Sequence, residues 1–146
     1  MARLLATAYR MLIDGLHEGL RREGWADVRP AFGFVLLAAR DAPTTSTALA
    51  ALMGTTKQAA SKLIDAMEEA GLVRRSVSAT DARSKTVDLD ARGRELLAVV
   101  ERIYIELEAR WASVVGATAM ERMRYDLVAI VASAHDGVLP PVRPTW

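Results

Sequence analysis

Residues 48–96 read ALAALMGTTKQAASKLIDAMEEAGLVRRSVSATDARSKTVDLDARGREL, and this stretch decides the fold. A short Ala/Leu-rich helix stops at Gly54, and a second helix begins at once, where Thr55 followed three residues later by Gln58 matches a capping box. Gly71 is placed to close that second helix. Two helices joined by so short a turn predict a helix-turn-helix.

A β-hairpin is predicted directly after these two helices. Residues 72–78 and 84–89 are short strand-like runs on either side of ATDAR, so the connecting loop is longer than two residues. Asp90 then precedes a long amphipathic helix over 91–115 as its N-cap. A helix-turn-helix followed by a hairpin is a winged helix, so the predicted fold class is mainly α with a small β-hairpin wing.

Three further helices are predicted outside residues 48–96. Residues 2–24 carry an apolar stripe at helical spacing, Pro30 can open a helix over 31–40 that is apolar nearly all round and therefore buried, and residues 119–135 form the last helix. The predicted inner positions of the second helix of the helix-turn-helix are Ala59, Ala60, Leu63, Met67 and Ala70, and those of the long helix are Leu96, Val100, Ile103, Leu107 and Trp111.

Composition limits the class of protein. A chain of 146 residues is one domain by length, and the lack of cysteine excludes disulfides, thiolate metal sites and thiol nucleophiles. No run of 18 apolar residues and no leader-like N-terminus is present, so we expect a soluble, cytoplasmic protein without a membrane partner.

Charge is distributed unevenly along the chain. The net charge is only +1, too small for a protein that coats a polyanion with its whole surface, so any nucleic-acid function must depend on a local patch. Residues 57–85 carry six basic against four acidic residues, whereas residues 86–146 carry seven against nine. The middle of the chain is therefore the basic part.

The order of motifs in residues 48–96 resembles the MarR family of winged-helix transcriptional regulators. The resembling pieces are a Leu-Ala pair, a glycine turn, a Thr-capped helix, Glu-x-x-Gly-Leu-Val, Asp-x-Arg-x-Lys and a strand leading to a further glycine. They lie here at 49–50, Gly54, 55–69, 68–73, 81–85 and 89–93. Asp90 stands where the family usually has Thr, but both residues are good N-caps.

The resemblance implies a homodimer and a division of the single domain, 1–146. Helices within 1–29 and 91–146 would mainly form the dimer, and 30–90 would form the DNA-binding lobe. The amphipathic stripes support this independently, because so short a lobe cannot bury the apolar faces of three flanking helices without a partner chain.

Double-stranded DNA is the expected partner. Lys57, Gln58 and Ser61 would lie on the outer face of a helix entering the major groove, while the two threonines before them suit a phosphate. The wing would add minor-groove insertion by its loop arginine and phosphate contacts from its stems. The predicted DNA-binding residues are Thr55, Thr56, Lys57, Gln58, Ser61, Lys62, Arg74, Arg75, Asp81, Arg83 and Lys85.

Asp81 is unexpected among these residues because a carboxylate repels phosphate. We interpret it as a partner of Arg83: the carboxylate holds the guanidinium in one geometry and caps loop amides, which reduces the side-chain entropy lost on insertion. On this interpretation Asp81 positions the side chain and Arg83 inserts.

A small-molecule effector is a further expectation from the resemblance, since ligands of the family, often aromatic acids, bind between the dimer body and the lobe. His17, Trp25, Phe32 and Tyr104 are candidates for lining such a crevice, although each also fits a packed core or dimer contact.

Catalysis and cofactors have little support in the sequence. GTTKQ lacks the second glycine of a phosphate-binding loop, no nucleophile elbow is present, and His17 and His135 lie on different helices without a second ligand nearby. We predict no enzyme, cofactor or metal. Two alternatives to a ligand-released repressor stay open: an interaction protein that keeps the fold without binding DNA, and a DNA-binding protein without an effector.

Overall fold

The structure is a computed structural model that describes residues 1–77 and 85–137. Six helices and three short strands are described, in the order α1 (Ala2–Arg22), α2 (Phe32–Ala38), β1 (Thr44–Thr45), α3 (Ser46–Met53), α4 (Lys57–Glu69), β2 (Val73–Val77), β3 (Lys85–Leu89), α5 (Ala91–Val115) and α6 (Ala117–Ser133). The predicted class, mainly α with a small hairpin, is confirmed.

The hairpin strands belong to a three-stranded antiparallel sheet of order β1-β3-β2. Val73 pairs with Leu89 and Val77 with Lys85, which confirms the predicted hairpin, and Thr44 pairs with Val87 to add the short strand β1. The sequence does not predict β1, because two threonines after a proline carry no strand periodicity.

Side-chain caps start three of the helices. The Thr45 hydroxyl accepts from the Ala48 amide at 3.1 Å, the Thr56 hydroxyl from the Ala59 amide at 3.1 Å, and the Asp90 carboxylate from the Ala91 amide at 3.0 Å. Each oxygen satisfies an amide that the first helical turn leaves without a backbone partner.

The predicted capping box at Thr55 is wrong by one residue. Thr56 is the N-cap of α4, and Thr55 belongs to the turn, where its amide donates to the Ala50 carbonyl at 2.9 Å. Gly54 makes this turn possible because its φ of 60° lies in the left-handed region that favours glycine.

The buried face of α4 consists of Ala60, Ile64 and Met67. Ala59 and Ala70, predicted as inner residues, are exposed, and Leu63 is half-buried. Met67 belongs both to the stripe with Ala60 and Ile64 and to the stripe with Leu63 and Ala70. Periodicity alone could not decide which of these two stripes faces the core.

Helix α2 is shorter and less buried than predicted. It begins two residues after Pro30 and ends at Ala38, and Leu37 is 53% exposed while Val35 and Leu36 are fully buried. The predicted burial therefore holds for one side of the helix, and the face that carries Leu37 turns outward.

One contiguous core joins the lobe to the flanking helices. Leu16 and Leu20 of α1 pack with Leu96, Val100 and Ile103 of α5, on the stripe that the sequence predicts. In contrast, none of the residues of α6 is buried. Within residues 1–77 and 85–137, no helix has the length and apolar character needed to cross a membrane.

Candidate functional site

The turn between α3 and α4 presents one side of α4 to solvent. Leu49 and Ala50 of α3 are buried beside the inner face of α4, so the opposite face is left open. On that face Gln58 and Lys62 are exposed and lie one turn apart, and Lys57 is exposed at the first position of the helix. Ser61, predicted to share this face, is half-buried at its edge.

Charge changes sign along α4. Its first half carries Lys57 and Lys62, and its second half carries Asp65, Glu68 and Glu69. The positive end coincides with the helix N-terminus, where the backbone dipole also favours anions. The first two turns are therefore the part of α4 that suits a polyanion.

Arg74 and Arg75 are adjacent in β2 and point to opposite faces of the sheet, because strand side chains alternate. Arg74 is outward and 61% exposed, and its guanidinium donates to Asp88 Oδ2 at 3.1 Å. Arg94 donates to Asp88 Oδ1 at 3.1 Å, so one carboxylate holds two guanidinium groups.

The carboxyl of Asp88 responds to both arginines. Burial disfavours its charge, but the hydrogen bond from Arg74 and the charge of Arg94 outweigh burial and hold the pKa of Asp88 below its usual value. The carboxylate is therefore ionised at neutral pH and fixes Arg74 on the outer face of the sheet.

Arg75 points inward to α4, which does not fit the prediction that it meets DNA phosphates. Its guanidinium lies 2.6 Å from Asp65 Oδ1 and 2.6 Å from Glu68 Oε2. Burial opposes its charge, but these hydrogen bonds raise the pKa of Arg75 above its usual value. The sequence alone does not separate the two arginines, because tertiary packing decides which face of β2 meets α4.

The remaining predicted wing residues fall into two groups. Lys85 is exposed at the start of β3, opposite Val77. Asp81 and Arg83 lie outside the described residues, so the interpretation of Asp81 as the partner of Arg83 stays a prediction.

A second feature is a cavity of about 200 Å³ between α1, the α1–α2 connection, α2 and α5. His17 and Tyr104, predicted to line a crevice, both line it. Burial and the neighbouring Tyr9 raise the pKa of Tyr104, so its phenol is neutral and can donate a hydrogen bond. Most of the remaining lining is aliphatic or aromatic.

Trp25 and Phe32 do not line this cavity. Phe32 is a core residue at 5% exposure, and the Arg92 guanidinium lies 4.9 Å from the centre of the Trp25 ring. The lining residues that sequence reasoning missed include Tyr9, Arg29 and Phe34. Residue type alone did not show which of the aromatic side chains turn towards the cavity.

No metal site emerges from the part of the chain that the structure describes: it contains no group of three or more His, Cys, Asp or Glu residues arranged to hold an ion. The absence of a cofactor and of catalytic activity stays a prediction.

Comparison with known families gives a match at the lobe. Residues 33–84 match the sequence model of the MarR family, a span that begins in α2 and contains α3, α4 and β2. The resemblance to the MarR family is confirmed. No curated protein matches the chain closely enough to be counted as a relative.

Solved structures extend the MarR likeness to most of the chain. CouR from Rhodococcus jostii RHA1, bound to p-coumaroyl-CoA, is 26% identical, with 87% of this chain and 88% of CouR covered and a TM-score of 0.68. A MarR-family transcriptional regulator from Rhodococcus sp. RHA1 is 25% identical over 87% of this chain and 89% of its own, also with a TM-score of 0.68.

A DNA-bound structure shares the MarR fold. It is a mutant of MepR from S. aureus bound to an oligodeoxyribonucleotide, 22% identical, with 92% of this chain and 97% of MepR covered and a TM-score of 0.63. At that identity the likeness shows the fold alone. The class of protein that the family match supports is a DNA-binding transcriptional regulator.

Proposed function

We propose that this chain is a homodimeric repressor that binds a pseudo-palindromic DNA operator and is released by a small ligand. The observation that carries the proposal is the exposed pair Gln58 and Lys62 on the second helix of a helix-turn-helix, with a three-stranded sheet beside that helix. A helix presented in this way enters the major groove, where Gln pairs with adenine and Lys with guanine.

Phosphate contacts would come from residues at the edges of this surface. Thr55, Thr56 and Lys57 lie exposed at the N-terminus of α4, and Arg74 and Lys85 are exposed on the wing strands. Arg83 joins them from the sequence alone. Such contacts fix the register of the protein on DNA and make binding depend on salt.

The exposed apolar residues support a homodimer. Leu4 and Leu5 of α1 and Tyr125 and Ile130 of α6 are exposed, on helices that lie outside the lobe. Large apolar side chains on two helices mark a surface for association. A two-fold dimer would set two copies of α4 against half-sites about 34 to 36 Å apart, or a multiple of that distance.

The cavity supports a ligand switch. It lies between α1 and α5 on one side and α2 on the other, so it joins the proposed dimer helices to the lobe. A mainly apolar ligand fits this lining, and Arg29, His17 and Tyr104 supply polar groups for an anionic or phenolic end. Filling the cavity would change the angle between the lobe and the dimer helices. The two copies of α4 would then no longer match the spacing of the two half-sites.

The first experiment identifies the DNA. Duplexes that the protein retains from a randomised library are sequenced, and the selected duplex and a scrambled duplex of the same composition are titrated at two salt concentrations. We expect the selected duplex to bind at least about a thousandfold more tightly. An interaction protein that has lost DNA binding would show no preference between the two.

Substitutions in α4 test whether its exposed face, with Gln58 and Lys62, contacts the DNA bases. We expect Gln58→Ala to weaken binding to the selected duplex by about 1–3 kcal/mol and to relax specificity at one base pair per half-site. The measurement is a titration against all four bases at each position. Glu69→Ala, an exposed substitution in the second half of the same helix, is the matched control and should leave base preference unchanged.

A substitution at Gly33 tests the cavity. Gly33 lines the cavity on α2, and a Cβ added there meets nothing within 4 Å, so Gly33→Leu should fill the space without straining the backbone. Aromatic acids, p-coumarate among them, are screened by thermal shift and by release of the selected duplex. We expect that an acid which stabilises the wild type and releases the selected duplex from it will neither stabilise Gly33→Leu nor release the duplex from that variant. Release that persists in this variant would place the effector site elsewhere.

A further inference from the structure

Arg75 contacts three successive positions along one edge of α4, the helix that we propose reads the DNA bases. Its guanidinium binds the carboxylates of Asp65 and Glu68, and it donates to the Ser61 carbonyl at 3.2 Å. Positions 61, 65 and 68 follow helical spacing and span about 10 Å of α4. A single side chain therefore ties the first wing strand to two turns of this helix.

The backbone of the same residue is held by the same helix. The Arg75 amide donates to Glu68 Oε1 at 3.1 Å, while Glu68 Oε2 accepts from the guanidinium. The two oxygens of Glu68 thus bind the main chain and the side chain of one strand residue. This arrangement fixes both the distance and the rotation of β2 relative to α4.

Burial and charge distinguish Arg75 from its neighbour. Its side chain is 19% exposed, against 61% for Arg74, and both terminal nitrogens of its guanidinium contact acceptors on α4. A planar guanidinium can bind several acceptors in fixed directions, which the single ammonium of lysine cannot reproduce. Arg75 also neutralises carboxylates in the half of α4 that would otherwise repel DNA.

We propose that Arg75 is a positioning residue for DNA recognition. It fixes β2, the first strand of the wing, to α4, so that the helix and the wing bind DNA as one rigid unit. This inference rests on the proposed function. Specific binding needs base contacts and wing contacts in one register, whereas nonspecific binding needs only positive charge. Weakening the contact between Arg75 and α4 should therefore reduce affinity for the selected duplex more than affinity for DNA of any sequence.

The test compares Arg75→Lys with Arg74→Lys on the selected and scrambled duplexes, after circular dichroism has shown both variants folded at the assay temperature. Both variants keep the charge of the wild type. We expect Arg75→Lys to weaken binding to the selected duplex about tenfold and to leave the scrambled duplex and the salt slope unchanged. Arg74→Lys keeps the charge at a proposed phosphate contact, which is independent of sequence, so any change should be equal on both duplexes and the ratio of selected to scrambled affinity should not change.

A second variant separates positioning from charge and does not depend on Arg75→Lys folding. Asp65→Asn combined with Glu68→Gln keeps the side-chain shapes but removes two negative charges beside the DNA. Charge alone predicts tighter binding to every duplex. Positioning predicts that the ratio of selected to scrambled affinity falls, because the guanidinium loses its charged partners.

Three results would overturn the inference. Equal loss on both duplexes, in step with a lower melting temperature, would mean that Arg75 only stabilises the fold. Wild-type binding by Arg75→Lys, with a salt slope lower by about 1 in Arg75→Gln, would mean that it contacts a phosphate. If the wild type selects no duplex, the proposed function fails and the inference fails with it. If the wild type selects a duplex and Arg75→Lys binds it as the wild type does, only the inference is rejected.

Discussion

Replacing Gly93 by alanine is expected to lower the free energy of unfolding by about 3 kcal/mol. Gly93 is buried in the first turn of α5, and a Cβ added there would lie 1.9 Å from the Leu72 carbonyl oxygen. The obstacle is backbone, which cannot rotate away as a flexible side chain would. Either α5 or the connection between α4 and β2 must shift.

The same carbonyl explains why that shift is costly. The Leu72 oxygen accepts from the amide of Asp90, the N-cap of α5, at 3.0 Å, so the start of α5 is hydrogen-bonded to the segment that joins α4 to the wing. Moving α5 outward breaks this bond and opens the core at Leu72 and Val73, both of which are buried. Lost hydrogen bonding and lost packing therefore act together.

Chemical and thermal unfolding monitored by circular dichroism measure this effect, and Gly33→Ala is the matched control. Gly33 lies in α2 with open space around its missing Cβ, so alanine there should raise stability by about 0.5–1 kcal/mol through helix propensity. A Gly93→Ala variant that unfolds with the wild type would contradict the close contact with Leu72.

The helices and the hairpin were predictable because their signals are local. Gly54 and Gly71 end helices, Asp90 begins one, and the runs around ATDAR carry strand character that needs no knowledge of the rest of the chain. Such signals work because caps and turns are satisfied within a few residues. The one-residue error at Thr55 arose where two adjacent threonines could both serve as a cap.

The directions of side chains were less predictable because tertiary packing sets them. Arg74 and Arg75 look equivalent as basic residues, yet the sheet sends one to solvent and the other to α4. Strand alternation contained that difference, but only the position of α4 shows which face is which. For the cavity, the family resemblance predicted a crevice with aromatic side chains; of the candidate residues, His17 and Tyr104 line the cavity, whereas Trp25 packs against Arg92 instead.

Introducing one glutamate on α6 is expected to dissociate the proposed homodimer. Ile130 is 64% exposed in the single chain, so the carboxylate of Ile130→Glu stays hydrated there and the fold of the chain should be unaffected. Against a partner chain the same carboxylate would be buried without a counter-charge, which costs about 3–5 kcal/mol for each uncompensated charge. A two-fold interface contains the substitution twice, so the dissociation constant should rise by more than about a thousandfold.

Light scattering coupled to size-exclusion chromatography measures this change, with circular dichroism to show that the variant is folded. Ala51→Glu is the control, because Ala51 is exposed on α3 within the lobe and should leave the dimer intact. The dimer hypothesis also requires that monomeric Ile130→Glu lose binding to the selected duplex, because one copy of α4 reads only one half-site. A variant that remains dimeric would place the interface away from Ile130, and one that becomes monomeric but keeps wild-type affinity would show that a single lobe suffices for recognition.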